Sequence, residues 1–373
     1  MFGFILISII TGMHLYVFWR MGTTQPFARR LSPRVQGIFG TALWSLFVAG
    51  RIFGHGQTGA VAQGLEFLGM NWMATLFLVF TCLFISELIT GLGWVIPKTA
   101  PYVRVAAFMT GLILSGVALV QGMRAPEVTG YEVALKELPG DLDGTRIVAL
   151  SDLHLGGLLG EKWLDARVTQ VLAEKPDMVF LVGDLFEGHG EPIDPFLPAL
   201  RRLADASLGV WVVPGNHEFH GRSNSAVTLV QRAGFHLLRN TAEVAVPGLV
   251  VAGVDDLTYL RRTRENTDPV MRALSGRPSG ATILLSHTPW EAERAAGQGT
   301  GLMISGHTHG GQVWPFGYLV RQVYPYFTGR YQVQGMTLIV GRGTGTWGPR
   351  MRLWKPGEIL RIELKGESVE PPS

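Results

Sequence analysis

The stretch RIVALSDLHLGG, residues 146–157, decides the fold class. Residues 146–151 form a short apolar, β-branched run that is typical of a buried strand, and Asp152 and His154 follow directly. Similar runs recur along the chain at residues 131–138, 178–182, 210–213, 249–254, 281–286, 302–305, 336–340 and 359–364. Helical patterns separate the early ones at residues 162–173, 195–204 and 225–233. This alternation predicts an α/β core of about 240 residues, enough for one substantial hydrophobic core.

Polar motifs follow five of the predicted strands at the point where each strand ends. They are SDLH (151–154), GD (183–184), GNHE (215–218), SH (286–287) and GHTH (306–309). Open α/β sheets gather ligands at the carboxyl ends of their strands. The glycines before Asp184, Asn216 and His307 allow sharp turns of the backbone. The spacing therefore predicts one cluster of polar side chains.

The residue types in this cluster indicate metal chemistry. The candidate ligands are Asp152, His154, Asp184, Asn216, His287, His307 and His309. A mixed nitrogen and oxygen set without sulfur suits Mn, Fe or Zn, and the single cysteine, Cys82, excludes a thiolate zinc site. Seven side chains are too many for one ion but suffice for two if one carboxylate bridges. Paired divalent ions are typical of phosphoester hydrolysis.

The ordered motifs resemble the calcineurin-like metallophosphoesterase superfamily over residues 143–365. The SDLHLG start, the GHTHGGQ extension and the helical amino-terminal region are most similar to its membrane-associated branch. That branch includes YkuE-type and YaeI-type phosphoesterases and UDP-2,3-diacylglucosamine hydrolases. The resemblance implies a four-layer α/β/β/α sandwich after a transmembrane region. It also implies two divalent ions, with Mn expected and Fe or Zn as alternatives.

The resemblance implies a role for each candidate residue. One metal would be held by Asp152, His154 and His309, the other by Asn216, His287 and His307, with Asp184 bridging. His217 would act as general acid, or as a donor to the developing phosphorane charge.

Several neighbouring residues carry weaker expectations. Glu187 stands where several family members place an Asp that orients the catalytic His, so its role is left open. Glu218 is expected to brace its loop. His220, Arg342 and Arg350 are candidate substrate-binding residues.

The first third of the chain differs in composition from the rest. The whole chain is 47% hydrophobic and 16% charged, with a mean hydropathy of +0.23 and a pI of about 9.1. Residues 1–123 contain seven Lys or Arg and two acids, whereas the remainder contains 25 bases and 27 acids. The basic pI thus belongs to the hydrophobic third, which argues against a nucleic-acid-binding protein.

Four stretches are long and apolar enough to cross a bilayer, at residues 2–19, 35–54, 71–96 and 102–123. The first is expected to be retained rather than cleaved as a signal peptide. Arginines after the first span and bases after the third predict that both termini lie outside the cytoplasm, with an extracytoplasmic catalytic domain. Glu87 is expected to face a neighbouring helix or to form a polar site within the bundle.

The sequence therefore predicts four segments: a transmembrane region (1–123), a linker with the first strand (124–145), the catalytic domain (146–366) and a disordered tail (367–373). Residues 321–365 are rich in bases and aromatics and form either a solvated face or a surface against the bilayer. The predicted function is membrane-bound hydrolysis of a phosphoester or pyrophosphate on a lipid-linked or envelope substrate. The alternatives are a non-catalytic scaffold or receptor and a phosphatase of nucleotides or phosphoproteins. The oligomeric state is left open.

Overall fold

The computed structural model describes residues 2–188, 192–220, 225–265 and 267–366. The predicted tail, residues 367–373, lies outside the described residues. The chain divides into two compact units, each built from several stretches. The helical unit comprises the described residues of Met1–Arg124, Gln312–Pro315 and Gly348–Lys355. The sheet unit comprises those of Ala125–Gly311, Phe316–Trp347 and Pro356–Ser373. Two short segments of the predicted catalytic domain thus belong to the helical unit.

The helical unit contains the four predicted apolar helices and one short connecting helix. Its elements are α1 (Phe2–Thr23), α2 (Gln25–Ala28), α3 (Pro33–Ala49), a π-helical turn (Gly50–Gly54), α4 (Ala60–Thr90) and α5 (Ala100–Met123). Four of these stretches are long and apolar enough to cross a membrane: Gly3–Thr23, Pro33–Gly54, Ala60–Thr90 and Ala100–Met123.

The third span is displaced from its predicted position. The sequence predicts residues 71–96, but α4 begins eleven residues earlier and ends at Thr90. Gly91 follows with a φ of 55°, the left-handed conformation that commonly ends a helix. The hydropathy pattern missed the helical turns before Asn71 because polar residues dilute their hydropathy.

The sheet unit contains all the strands of the described residues. They are β1 (Glu127–Leu135), β2 (Arg146–Leu150), β3 (Met178–Val182), β4 (Val210–Val213), β5 (His236–Leu237), β6 (Thr241–Val246), β7 (Leu249–Gly253), β8 (Ala281–Leu285), β9 (Leu302–Ser305), β10 (Gly329–Val333), β11 (Met336–Val340) and β12 (Glu358–Gly366). Its helices are α6 (Glu161–Ala173), α7 (Leu197–Arg201), α8 (Ser225–Arg232), α9 (Leu257–Thr263), α10 (Pro269–Leu274), α11 (Ala292–Gly297) and α12 (Gly317–Val323).

The strands form two six-stranded mixed sheets. Their orders are β1-β12-β2-β3-β4-β5 and β10-β11-β9-β8-β7-β6. Strands β2 to β5 run parallel to one another, as do β7, β8, β9 and β11. Parallel neighbours place their carboxyl ends at the same edge of a sheet, so the loops that carry the candidate ligands are brought together there.

Alternating side chains on each strand build three apolar layers. Phe180 of β3 and Ile283 of β8 point into the core between the two sheets. Their neighbours point outward, Val179 towards α6 and α7 and Leu284 towards α10 and α11. The sheet unit is therefore the predicted α/β/β/α sandwich, and the fold class is confirmed.

Candidate metal centre

All seven candidate ligands lie in loops that leave the carboxyl ends of strands in the sheet unit. Asp152 and His154 follow β2, Asp184 follows β3 and Asn216 follows β4. His287 follows β8, and His307 and His309 follow β9. Three groups have ligand atoms that all lie within 4.8 Å of one another: Asp152, His154 and His309; His154, Asp184 and His217; and Asp184, His287 and His307. Residues 155 positions apart in the chain therefore share one site.

The Asp184 carboxylate occupies the middle of this cluster. Its Oδ2 atom lies 3.2 Å from His287 Nε2 and 3.8 Å from His154 Nε2. Its Oδ1 atom accepts a hydrogen bond of 2.9 Å from the backbone N–H of His217. The Asp184 carboxylate is thus held in place through Oδ1. Its Oδ2 atom faces His154, which follows β2, and His287, which follows β8.

Imidazole nitrogens face one another at short distances. His154 Nε2 lies 3.1 Å from His309 Nε2, and His307 Nδ1 lies 3.2 Å from His287 Nε2. His287 donates its Nδ1–H to the carbonyl oxygen of Val182 at 2.8 Å, which directs Nε2 into the cluster. Imidazole nitrogens that converge in this way, next to carboxylates, fit divalent cations.

Asn216 adds an oxygen donor, but it belongs to none of the three groups, which contain only ionisable side chains. Its Oδ1 atom is buried without a hydrogen-bond partner. A buried amide oxygen that accepts no hydrogen bond is costly, so this atom also fits a site that requires a cation.

Burial sets the protonation state of several candidate ligands. Burial lowers the pKa of His307 to about 4 and lowers the pKa of His154 well below its ordinary value, so both imidazoles are neutral at pH 7. Burial opposes ionisation of Asp184, but the facing His287 holds the pKa of this carboxyl well below its usual range. Neutral imidazoles and an ionised carboxylate are the forms that bind metal.

The backbone at the cluster is strained. Five of the seven candidate ligands have a left-handed φ: Asp152 (54°), His154 (46°), Asp184 (51°), His307 (69°) and His309 (51°). Each such residue costs about 1–3 kcal/mol, and such strain concentrates at functional sites. The sequence does not reveal this strain.

Two glycines of the motifs are required by close packing. A Cβ on Gly215 would lie 2.2 Å from Asp184 Oδ1, and one on Gly306 would lie 2.4 Å from Asp152 Oδ2. The absence of a side chain at these glycines leaves space for the carboxylates. The sequence analysis expected the glycines only because of the backbone turns.

The backbone carbonyl of Glu187 orients His217. His217 donates its Nδ1–H to this oxygen at 2.8 Å, whereas the Glu187 carboxylate lies 3.8 Å away, beyond hydrogen-bond distance. Nε2 of His217 then lies 4.0 Å from Asp184 Oδ2. The ring is therefore oriented at the cluster by a backbone carbonyl.

Glu218 binds backbone groups of the ligand loops. Its Oε2 atom accepts from the N–H groups of Asp184 and Gly215, and its Oε1 atom from those of Leu185 and Phe186, at 2.8–3.2 Å. This carboxylate braces the loops after β3 and β4, as the sequence analysis expected.

The three candidate substrate-binding residues lie in different surroundings. The exposed His220 has its ring centroid 4.6 Å from that of His217. Arg342 forms an ion pair with the buried Glu358 at 2.8 Å, and its aliphatic stem lies beside Gly310, the residue after His309. Arg350 is buried in the helical unit, whereas the candidate ligands belong to the sheet unit.

The basic and aromatic stretch 321–365 is not one continuous face. Arg350 and Arg352 are buried, and Arg361 pairs with Glu174. Residues Gly348–Lys355 belong to the helical unit, and the rest of the stretch belongs to the sheet unit. The two buried arginines therefore belong neither to a solvated face nor to a lipid-facing surface.

Two aromatic residues near the cluster were not identified from sequence. The Tyr324 hydroxyl lies 2.8 Å from His307 Nε2, and the Trp347 ring centroid lies 6.2 Å from that of His217. In the sequence, both residues stand out only because they lie in the aromatic stretch 321–365. That position does not distinguish them from the other aromatic residues there.

The comparisons with known proteins agree with this geometry. A family model described as calcineurin-like phosphoesterase matches residues 145–311. An uncharacterized metallophosphoesterase of Campylobacter jejuni is 31% identical over 318 residues, which cover 81% of this chain and 84% of that protein. The uncharacterized metallophosphoesterase YkuE of Bacillus subtilis is 31% identical over 64% of this chain and 85% of that protein.

A relative with a membrane designation is also similar. A transmembrane protein with metallophosphoesterase domain from Bos taurus is 34% identical over 69% of this chain. The matched region spans 62% of that longer protein.

Proposed function

The chain belongs to the metallophosphoesterase family, and from that premise we propose that it is a membrane-bound, dinuclear-metal-dependent phosphoesterase. The reaction is hydrolysis of a phosphoester or pyrophosphate bond, on a lipid-linked or envelope substrate. The observation that carries the proposal is the position of Asp184 Oδ2 between His287 and His154, which suits a carboxylate shared by two cations.

The residues divide into two ligand sets and one acid. Asp152, His154 and His309 would hold one cation, Asn216, His287 and His307 would hold the other, and Asp184 would be shared by both. The two cations supply Lewis acidity and a water of lowered pKa when they are bound. Manganese is the expected metal, with iron or zinc as alternatives, because the donors are nitrogen and oxygen.

His217 is the proposed general acid. Its Nδ1–H is committed to the carbonyl oxygen of Glu187, so Nε2 is the atom that faces the cluster and exchanges a proton with the leaving oxygen. His220, beside it, and Arg342 are proposed to contact the substrate.

The membrane attachment rests on the four apolar helices. We infer that all four span the bilayer, with the arginine-rich loops on the cytoplasmic side and the sheet unit outside. Four spans exceed what a tether requires, which favours a substrate that itself resides in the membrane. A reporter fused after Ser373 tests the orientation: an alkaline phosphatase fusion should be active and a green fluorescent protein fusion dark. The reverse result overturns the orientation.

Hydrolysis of bis-p-nitrophenyl phosphate by the purified chain with Mn²⁺ tests the activity. Asp184→Asn should lower the rate by on the order of 10³-fold, because it removes the shared charge. Asp165→Asn is the matched control, since Asp165 is an exposed carboxylate paired with Arg202. Equal rates for the wild type and Asp184→Asn would refute the enzyme and favour the scaffold alternative. Lipid analysis of a deletion strain then identifies the accumulated substrate.

A further inference from the structure

Helix α12 (Gly317–Val323) carries several exposed apolar side chains. None of its residues is buried, and the large side chains at and before it are exposed: Phe316 (45%), Tyr318 (64%), Leu319 (63%) and Val323 (55%). An unburied cluster of this kind marks an interaction site rather than a fold requirement.

The chain around α12 indicates what covers it. Phe316 directly follows Pro315, the last residue of a segment that belongs to the helical unit with the four candidate spans. Within that unit, Val313 of this segment packs in an apolar cluster with Ala74 and Leu78 of α4 and Ala118 of α5. The surface is thus covalently continuous with a segment that packs on membrane-type helices.

The composition of α12 also suits a lipid interface. The helix carries Arg321 and no acid, and the Arg321 guanidinium lies 4.6 Å from the centroid of the Phe327 ring. Exposed aromatic and aliphatic side chains with a basic residue are typical of segments that lie in the headgroup region.

We propose that Phe316 and α12 form a membrane-contacting surface, and that its partner is the outer part of a lipid bilayer. The proposal rests on the membrane attachment proposed above. It goes further, because a tether alone does not require any part of the sheet unit to enter the bilayer. His309 lies seven residues before Phe316 in the sequence, so the contact would present the metal centre to substrates in the membrane.

Site-directed spin labelling of the full chain in nanodiscs of phosphatidylcholine and phosphatidylglycerol tests the proposal. Single cysteines are introduced in a Cys82→Ala background, and accessibility is measured to oxygen, which enters lipid, and to a water-soluble nickel chelate. The test position is Leu319→Cys. Val244→Cys is the matched control, since Val244 is an exposed apolar residue of edge strand β6 in the same unit. Ile113→Cys on α5 reports the span itself.

The oxygen-to-nickel ratio should be several-fold higher at positions 319 and 113 than at position 244. Equal ratios at 319 and 244, with a high ratio at 113, would overturn the surface while leaving the membrane attachment intact. A low ratio at 113 would instead refute the attachment and the surface with it. A label at 319 could instead be shielded from both reagents and show dipolar coupling to the label of another copy of the chain. This result would mean that the other copy covers α12, and it would also overturn the proposal.

A separate observation concerns Tyr324, the residue that follows α12. Tyr324 Oη lies 2.8 Å from His307 Nε2, while His307 Nδ1 faces His287 Nε2. The Tyr324 ring stacks on Trp290 with a centroid distance of 5.3 Å, and Trp290 donates its Nε1–H to the Val323 carbonyl at 3.4 Å. The hydroxyl is therefore held at one nitrogen of a candidate ligand by a packed ring.

The geometry points to Tyr324 as a positioning residue. By accepting the Nε2–H of His307, its hydroxyl leaves the Nδ1 lone pair for the metal and fixes the plane of the ring. This role rests on the proposed dinuclear centre.

Metal titration against a competing chelator tests this role. Tyr324→Phe keeps the ring stack and removes only the hydroxyl, so one of two bound Mn²⁺ should lose about 10–100-fold in affinity, as for other outer ligands. The second ion serves as an internal reference. Tyr326→Phe is the control, because it removes a hydrogen bond to the exposed Glu293.

Unchanged affinities in Tyr324→Phe, or an equal loss at both ions, would overturn the role of Tyr324. A wild-type chain that fails to bind two ions would instead refute the dinuclear centre. Rescue of the variant's rate by raised Mn²⁺ is expected if the hydroxyl acts through metal affinity.

Discussion

Two of the buried clusters of charged side chains in the described residues are built differently. In the helical unit, Glu87 of α4 pairs with Arg20 of α1 at 2.7 Å and with Arg104 of α5 at 2.9 Å. In the sheet unit, Asp152 and Asp184 lie among four imidazoles of the candidate ligands and His217. The first group connects three helices. The sequence analysis offered a polar site within the bundle as one of its two hypotheses for Glu87. The second connects loops.

The difference lies in the chemistry of the groups that each cluster brings together. Arg104 makes a two-pronged contact with Glu87 and also donates to the Leu92 carbonyl, so Glu87 is bound by a guanidinium of the chain itself. The metal cluster instead holds imidazole nitrogens 3.1–3.2 Å apart on strained backbone. The helical cluster pairs side chains of opposite charge, whereas the sheet cluster gathers imidazoles and carboxylates whose ligand atoms fit a cation. We therefore expect substitutions in the first to affect stability and in the second to affect activity.

The largest expected effect is that of His287→Ala. This imidazole is fully buried and faces both Asp184 and His307, so its loss should remove one metal and lower the rate by about 10²–10³-fold. Metal content and turnover, measured on folded protein, check this. The thermal stability of the metal-free chain should change little by comparison. A His287→Ala variant that keeps two metals and full turnover would contradict the expectation that substitutions in the sheet cluster affect activity.

Glu87→Gln should have the opposite profile. The buried Arg104 and the partly buried Arg20 would lose their shared carboxylate, which costs about 3–5 kcal/mol of the free energy of unfolding. Denaturation in mild detergent measures this, and turnover per folded molecule should remain as in the wild type. Glu66→Gln is a milder comparison, because Gln can still hydrogen bond His55, at a cost of about 1 kcal/mol. Equal losses for the two variants would contradict the special role of Glu87.

The strands of the sheet unit differ in how well the sequence predicts them. Residues 178–182, 210–213, 302–305 and 336–340 were predicted as strands with the bounds that the structure has, because buried strands are continuous apolar runs. Strand β6 (Thr241–Val246) was missed. It is an edge strand with partly exposed residues on both faces, so it has no clear alternation.

The candidate site was predictable in its residues but not in its support. Metal chemistry restricts ligands to few residue types, and the motifs stand at strand ends, which made Asp184 and His287 visible in the sequence. Tyr324 was not visible, because a single hydroxyl hydrogen bond leaves no spacing pattern. The Glu187 carbonyl was equally hidden, since any residue supplies a backbone oxygen.

A smaller effect separates two glycines of the sheet unit. Gly306→Ala would place a Cβ 2.4 Å from Asp152 Oδ2, so the carboxylate must move and metal affinity should fall by about tenfold or more. Gly160→Ala, before α6, meets nothing within 4 Å and should leave affinity unchanged. Titration with Mn²⁺ compares the pair, and similar affinities would show that the loop yields without disturbing the site.

The smallest effect distinguishes two glycines of α5 in the helical unit. Gly111 packs against α4, where a Cβ would lie 2.6 Å from Val79 Cα, so Gly111→Ala should destabilise the unit by about 1–3 kcal/mol. Gly116 is exposed with nothing within 4 Å, and Gly116→Ala should stabilise it by up to about 1 kcal/mol through helix propensity. Turnover should be unchanged in both, since neither touches the metal ligands. Opposite shifts in the detergent denaturation midpoint would support close packing of α4 on α5, and shifts of the same sign would contradict it.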